Sequence, residues 1–354
     1  MDLEIVDVAF GGKGVGRSNG KAVFVPFTID GERISARIVR EKKQFAEAEL
    51  EEVHASSDQR VTPPCPYFGR CGGCSYQHIS YEHQLAIKHR QVEQILRRVG
   101  RIESPPMRPI VPSPKSYAYR NRVTVHAEDG VVGYYRRDAH RLIDVEHCPI
   151  AQSDVNRALA ELRERKPRDG HYTLRAHVGP RVFEQTNNEV AEALAELVGT
   201  LLQSDQLLVD AYCGAGFFAK RMLDKFERII GIEWDRHAVA AAQENASPKE
   251  QYISGDVEVE LARTLAANRN SSISVIVDPP VTGLTEPTRR ALLDGSINTL
   301  VYVSCNPATL ARDLATLQQR FTLESVTPLD MFPQTAEIEC VAHLKFARAA
   351  IPPA

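Results

Sequence analysis

Apolar residues change their spacing three times along the chain, and each spacing predicts a different kind of structure. In residues 1–54 they alternate with polar ones through LEIVDVAF, KAVFVPF and ERISARIVR, and the pattern continues to Val53. Glycine turns at GGKGVG and around Asp30 and Gly31 separate these runs, which predicts a small five-stranded barrel. Over Tyr81–Val99 the period becomes helical, with Leu85, Val92, Ile95 and Leu96 on one face, basic residues on the other, and Gly100 as the stop. RIESPPMRPIVPSPK holds five prolines and must run extended. YAYRNRVTVHA, VVGYYRR and HRLIDVEHC read as strands, a helix follows from about Ser153 to Arg165, and KPRDG marks an edge. This makes residues 55–170 a mixed α/β unit.

From Tyr172 the pattern alternates strand with helix. TLRAHV is followed by a helix carrying Val190, Leu194 and Leu197. Then come LLVDAYC, a helix from near Phe217 to Phe226, RIIGIEW, a helix through Asn245, QYISGD and a helix over Glu258 to Ala267. SVIVDPP, a helix over Pro287 to Leu293, TLVYVSC, a helix over Ala308 to Gln318 and two closing strands complete the run. Alternation of this kind predicts a doubly wound, Rossmann-like α/β unit over residues 171–354.

Composition adds limits rather than identity. The 354 residues are 43% hydrophobic and 25% charged, an ordinary globular balance. The N-terminus carries Asp2 and Glu4 without a long apolar run, and no stretch reaches the ~18 apolar residues of a membrane helix, so a cytoplasmic protein is expected. A net charge of -3 does not advertise nucleic acid, yet residues 86–141 hold twelve Lys or Arg against five Asp or Glu. That segment reads either as a solvated face or as a surface for phosphates.

The candidate chemistry sits at strand ends. After the strand Leu207–Val209, Asp210 and the turn Gly214-Ala215-Gly216 would place bare backbone N–H groups at a helix start, a seat for a nucleotide-like ligand. Gly214, Gly216 and Ala219 also satisfy the relaxed dinucleotide fingerprint, so a dehydrogenase is a rival reading. Glu233, 23 residues after Asp210, suits a ribose diol, and Asp256 an adenine amino group. Asp278-Pro279-Pro280 stiffens a strand end against a flat ring and is not a dehydrogenase feature. Cys305 precedes Asn306-Pro307 at a helix start, where the thiolate would be favoured; the plainer reading is a buried structural cysteine.

Seven cysteines, in a chain that shows no secretion signal, point to metal or catalysis rather than disulfides. Cys65, Cys71 and Cys74 share one loop, and Cys148 is the candidate fourth thiolate of a tetrahedral sulfur site. Zinc and a 4Fe-4S cluster both accept four cysteines, and the spacing leans only slightly to the cluster.

RVFEQTN, DAYCGAGFF, GIEW, DPPVTGL, VSCNPATLARDL and MFPQTAEIE, with the barrel and the cysteine quartet, resemble the S-adenosylmethionine-dependent RNA 5-methyluridine methyltransferases. The resemblance implies a class I methyltransferase unit, a TRAM-type RNA-binding barrel, and a 4Fe-4S site of the kind found in 23S rRNA enzymes, held by Cys65, Cys71, Cys74 and Cys148. It implies S-adenosylmethionine bound by Gln185, Asp210, Tyr212, Gly214, Gly216, Glu233, Asp256 and Asp278. Cys305 would add to carbon 6 of the uracil, Gln185 and Asp278 would hold its carbonyl and imide edge, Phe183 would stack on it, and Glu339 would remove the carbon 5 proton. The substrate implied is a 23S rRNA uridine, with a tRNA uridine as the nearest alternative, and the enzyme is expected to be a monomer. Val281 stands where the family usually has an arginine, and Glu337 where it usually has a histidine, which leaves room for an RNA-binding factor without turnover.

Overall fold

The computed structural model describes residues 1–177 and 185–347. β1 (Asp2–Val8), β2 (Lys13–Ser18), β3 (Lys21–Pro26), β4 (Arg33–Glu41) and β5 (Phe45–Ala55) close into a barrel in the order β1-β2-β3-β5-β4. The alternation seen in sequence points Leu3, Ile5, Val23, Val25, Ile34, Ala36, Ala46 and Ala48 inward. Register shifts in the β4–β5 pair let these long strands coil far enough to close.

Helix α1 (Tyr81–Arg98) follows the cysteine loop, and its hidden face is unlike the expected one. Ile87, Val92 and Leu96 are buried, but so are Gln84, Lys88 and Gln91, while Leu85 is only half-buried. The proline-rich stretch lies along the large sheet, with bridges from Met107 to Val326 and from Val111 to Leu329. β6 (Arg122–Glu128), β7 (Val131–Tyr135), β8 (Leu142–Asp144) and β9 (Gly170–Arg175) form a four-stranded sheet ordered β8-β7-β6-β9, with α2 (Ser153–Glu164) on one face. The strand at Tyr172, expected to open the last unit, instead pairs antiparallel with β6, because Tyr172 and Leu174 complete the core over α2.

The remaining elements are α3 (Asn188–Leu201), β10 (Leu207–Ala211), β11 (Arg228–Glu233), α4 (Arg236–Gln243), β12 (Glu250–Ser254), α5 (Val257–Ala267), β13 (Ile273–Val277) and α6 (Glu286–Asp294). β14 (Thr299–Ser304), α7 (Pro307–Leu317), β15 (Phe321–Leu329) and β16 (Glu339–Phe346) close the chain. The seven strands run β12-β11-β10-β13-β14-β16-β15, the first five parallel and β16 antiparallel between β14 and β15. β10, β13 and β14 are buried throughout, as apolar strands covered on both faces must be. An antiparallel strand inserted beside β14 is foreign to the all-parallel dinucleotide fold and weighs against the dehydrogenase reading.

The helix expected from near Phe217 to Phe226 is not there. The segment makes i→i−3 turns, Arg221 on Phe218, Met222 on Ala219 and Lys225 on Met222, of which only Ala219–Arg221 is regular 3-10 helix. Ten residues must return the chain to the start of β11 while burying Phe218, Ala219, Met222 and Phe226, and the steeper rise of 3-10 turns spans that length. None of the helices among the described residues is long and apolar enough to cross a membrane.

Candidate active site

The strand order reverses between β10 and β13, and a crevice opens beyond their C-terminal ends, as is general for such sheets. A cavity of about 550 Å³ lies there, lined among others by Gln185, Tyr212, Gly214, Gly216 and Asp278. Gly214 and Gly216 take φ of +54° and +82°, and Tyr212 takes +65°, so the turn presents backbone rather than side chain. A Cβ on Gly214 would meet no atom within 4 Å, which leaves open space for a ligand against the chain. In place of the expected helix start, the seat for a ligand is this glycine turn and the carboxylates behind it.

Asp210, Glu233 and Asp256 stand at the predicted strand ends but do not line the cavity. Asp210 is buried; one oxygen accepts the Ala219 N–H at 3.1 Å and the other has no partner. Burial, reinforced by Asp278 and Glu233, pushes its pKa up to about 8. The Glu233 carboxylate accepts N–H groups of Gly214 at 3.1 Å and Asp235 at 2.9 Å, fixing the glycine turn to β11. Asp256 caps α5 through the Glu258 N–H. Phe183 lies outside the described residues.

Strand register brings Cys305 and Glu339 together. β14 and β16 run antiparallel with Ser304 opposite Cys340, so the next rung places Cys305 opposite Glu339. Parallel pairing of Val277 with Tyr302 sets Asp278 beside the same strand ends. Glu339 is buried, and burial, then Asp278 and Glu337, hold its carboxyl well above the usual range. Asp278 is raised by burial to about 7. Cys305 is half-buried, and burial with Glu339 and Asp278 pushes its thiol up to about 11. The thiolate expected from the start of α7 is therefore not the resting form: burial first, and then the neighbouring acidic groups, outweigh one helix end. Exposed Glu337 adds to that field, as its position in sequence suggested.

The loop after Asp278 is braced without an arginine at position 281. Val281 is exposed, but its carbonyl accepts from Asn306 Nδ2 at 3.3 Å and Thr309 Oγ1 at 3.2 Å. Arg312 donates to the carbonyls of Thr282 and Leu284, and buried Asp313 accepts the Leu284 N–H and the Tyr302 hydroxyl, each at 2.8 Å. Arg312 and Asp313 were legible only as part of VSCNPATLARDL, with no role attached. Asn121 gave no signal at all: it donates to the Gln185 carbonyl at 2.8 Å and lines the cavity from the middle unit.

The loop that leads to Glu339 is held by a frame of buried polar groups. Gln84 Nε2 donates to Gln334 Oε1 at 3.0 Å, and Gln84 Oε1 accepts the Gln334 N–H at 3.1 Å. Lys88 Nζ meets Asp330 at 2.6 Å and the Phe332 carbonyl at 3.0 Å, and the Tyr119 hydroxyl donates to the Pro333 carbonyl. The N–H groups of Ser75 and Tyr76, directly after the third clustered cysteine, both reach the Gln334 carbonyl at 2.9 Å. Lys88, counted in the basic segment, thus works inside the protein, and half-exposed Arg90 pairs with Asp7 and Asp30 of the barrel.

Cys65, Cys71, Cys74 and Cys148 line one cavity of about 480 Å³. All four are free thiols, and burial raises Cys71, Cys148 and Cys74, the last to about 12. Gln77 and Tyr134, on the same lining, face Cys74 and Cys148. Among the described residues no group of three or more His, Cys, Asp and Glu is set to hold a metal ion.

Two family models match the chain: the TRAM domain over residues 1–50 and the tRNA (uracil-5-)-methyltransferase family over residues 260–347. An uncharacterized RNA methyltransferase of Protochlamydia amoebophila is 30% identical, covering 98% of this chain and 97% of its own. One from Bdellovibrio bacteriovorus is 31% identical over 98% of this chain and 95% of its own. In fold, the chain is similar to the tRNA (uracil-54, C5)-methyltransferase of Pyrococcus abyssi solved with S-adenosyl-L-homocysteine: TM-score 0.74, 22% identity, 97% of this chain and 100% of that one.

Proposed function

The chain belongs to the S-adenosylmethionine-dependent RNA uracil-5 methyltransferases, and from that premise we propose that it methylates carbon 5 of a uridine in 23S rRNA through a covalent bond between Cys305 and the uracil. The observation that carries this reading is the β14–β16 register, which sets a thiol opposite a buried carboxyl at the ligand end of the sheet.

S-adenosylmethionine supplies the electrophilic methyl group, and Gln185, Tyr212, Gly214, Gly216 and Asp278 line the cavity that would hold it. Glu233 fixes that turn, Asp210 holds the segment after it through the Ala219 N–H, and Asp256 caps the start of α5. Carbon 5 of uracil is a weak nucleophile until carbon 6 is attacked. Cys305 makes that attack, its proton passing to the Asp278 carboxylate as the thiolate forms, which leaves Glu339 for the later proton and lets Asp278 return its proton to the sulfur when the adduct breaks. Gln185 and Asp278 hold the uracil edge where charge develops, and Phe183 stacks on the ring. After methylation Glu339 takes the carbon 5 proton, the pair of electrons returns to the ring, and the Cys305 sulfur leaves. A carboxyl raised by burial binds that proton firmly enough for the task.

The cysteine quartet is assigned to a 4Fe-4S cluster. What supports that reading is that all four thiols face one cavity, as the ligands of a cluster must. The cluster would supply a rigid cross-link or an electron store. The quartet favours a 23S rRNA substrate; the matched family model's name and the P. abyssi structure favour tRNA. We take the enzyme to act as a cytoplasmic monomer.

RNA carrying 5-fluorouridine tests the chemistry, because fluorine cannot leave carbon 5 as a proton. The wild-type enzyme with S-adenosylmethionine is expected to form a protein–RNA adduct stable to denaturation, and Cys305→Ala to form none. An adduct of equal yield in both, or in neither, ends the proposal. Mapping 5-methyluridine in ribosomal and transfer RNA from cells with and without the gene distinguishes the two substrates, and absorbance near 400 nm in anaerobically purified protein checks the cluster.

A further inference from the structure

β6 and β9 pair with Arg122 opposite Arg175, Thr124 opposite Thr173, and His126 opposite His171. Side chains alternate across a strand, so these six stand on one face, while Val123, Val125, Ala127, Tyr172 and Leu174 pack inward against the α2 side. The Thr rung and His171 are exposed; the Arg rung and His126 are half-exposed. The threonine hydroxyls lie 3.4 Å apart and the two Nδ1 atoms 2.6 Å apart. Tyr135 extends the far end, its ring 4.4 Å from His126 and 4.4 Å from His140.

The near end of this ladder is the active site. Asn121 and His177, which flank it on β6 and β9, line the cavity that holds Gln185 and Asp278. Further along, Arg122, Thr124, Thr173 and Arg175 line the cysteine cavity. Successive rungs are two residues apart, about 7 Å at ordinary strand rise, comparable to a nucleotide step in an extended single strand.

We propose that this face is a track for a single strand of RNA, carrying the nucleotides that flank the target uridine away from the active site. Arg122 and Arg175, each already engaged within the chain, add positive charge at the near end, the Thr rung hydrogen-bonds phosphate or ribose, and the cluster of His126, His171, Tyr135 and His140 stacks an unpaired base. Cationic, hydroxylic and ring-bearing groups in a row are the composition of single-strand binding grooves. An A-form duplex would be read through its broad minor groove, wider than two strands of a sheet. A protein partner would call for an apolar centre, which the rungs do not provide. The proposal deepens the RNA methyltransferase reading and rests on it only for the direction of the strand.

Binding measured by fluorescence anisotropy tests it on the full-length protein, using labelled oligouridylates of 12 and 4 nucleotides and a 12-base-pair RNA duplex. Wild type is expected to hold the 12-mer more tightly than the 4-mer or the duplex. His126→Ala/His171→Ala and, separately, Thr124→Ala/Thr173→Ala are each expected to weaken the 12-mer about tenfold, leaving the 4-mer and S-adenosylmethionine binding unchanged. The idea is overturned if both double variants keep wild-type affinity for the 12-mer, if the duplex binds as tightly as the single strand, or if the 4-mer loses as much as the 12-mer. Since no methyl transfer is read, loss of 12-mer binding in the variants supports the track even if the adduct experiment with Cys305 fails.

Discussion

At the scale of single residues, the protonation of the strand ends decides the pH behaviour, and activity and stability are expected to move in opposite directions. Cys305 must lose a proton held to about pH 11, and Asp278 one held to about pH 7. Initial rates should therefore show kcat/KM climbing from pH 6 to pH 9 without a neutral plateau. Stability carries the opposite sign. Asp210 and Asp278 have folded pKa values raised to about 8 and about 7 from 3.8, so their contribution is complete below about pH 4 and is lost as pH rises through 7 to 8. Melting temperatures of the ligand-free protein should fall over pH 5 to 8, and fall less in Asp210→Asn. Glu339→Gln separates the two halves of the reaction. It is expected to lower turnover roughly 100- to 10,000-fold while still capturing RNA through Cys305, so that the adduct accumulates on ordinary uridine. An adduct that never accumulates would place the proton transfer elsewhere.

Among the elements, α1 shows how far a helix can depart from its sequence pattern. Lys88 and Asp330 are wholly buried together, so Lys88→Met should cost about 3–5 kcal/mol by stranding a carboxylate, whereas Lys88→Met/Asp330→Leu should recover most of it. A denaturant cycle over the two single variants and the double one measures this directly. Nothing in KHRQVEQ separates Lys88 from the solvated lysine of any amphipathic helix; only its partner, 242 residues away, makes it internal. The sheet was far more legible, because parallel strands covered on both faces must be unbroken apolar runs such as SVIVDPP and TLVYVSC. The barrel was legible for a similar reason, its period-two alternation having no other use. The segment after Gly216 misled because its buried residues recur at helical intervals, while only Lys220 on Gly216 makes an α-type bond there and the other backbone bonds given for it are those of 3-10 turns. TLRAHV misled because a strand's pattern names the face it buries and not the sheet it joins. The catalytic pair was readable as two motifs, but the resting thiol was not, since the carboxylates that hold its proton come from β13 and from either side of the start of β16.

For the molecule as a whole, one glycine marks where three units meet. Gly12, at the tip of the first barrel hairpin, has φ of +88°, and a Cβ there would sit 3.0 to 3.3 Å from Ser75, Tyr76 and Ala336. Gly12→Val should wedge the barrel off the loop that carries Glu339, seen as faster proteolysis within residues 56–64 and a raised KM for RNA, with S-adenosylmethionine affinity retained. The β14–β16 register has the opposite character. Because Cys305 directly follows β14 and Glu339 opens the paired strand β16, the separation of the proposed nucleophile and base is set mainly by sheet geometry. Lineages could therefore retarget such an enzyme by exchanging barrels or reshaping its outer surfaces, while the bond-making apparatus is inherited unaltered.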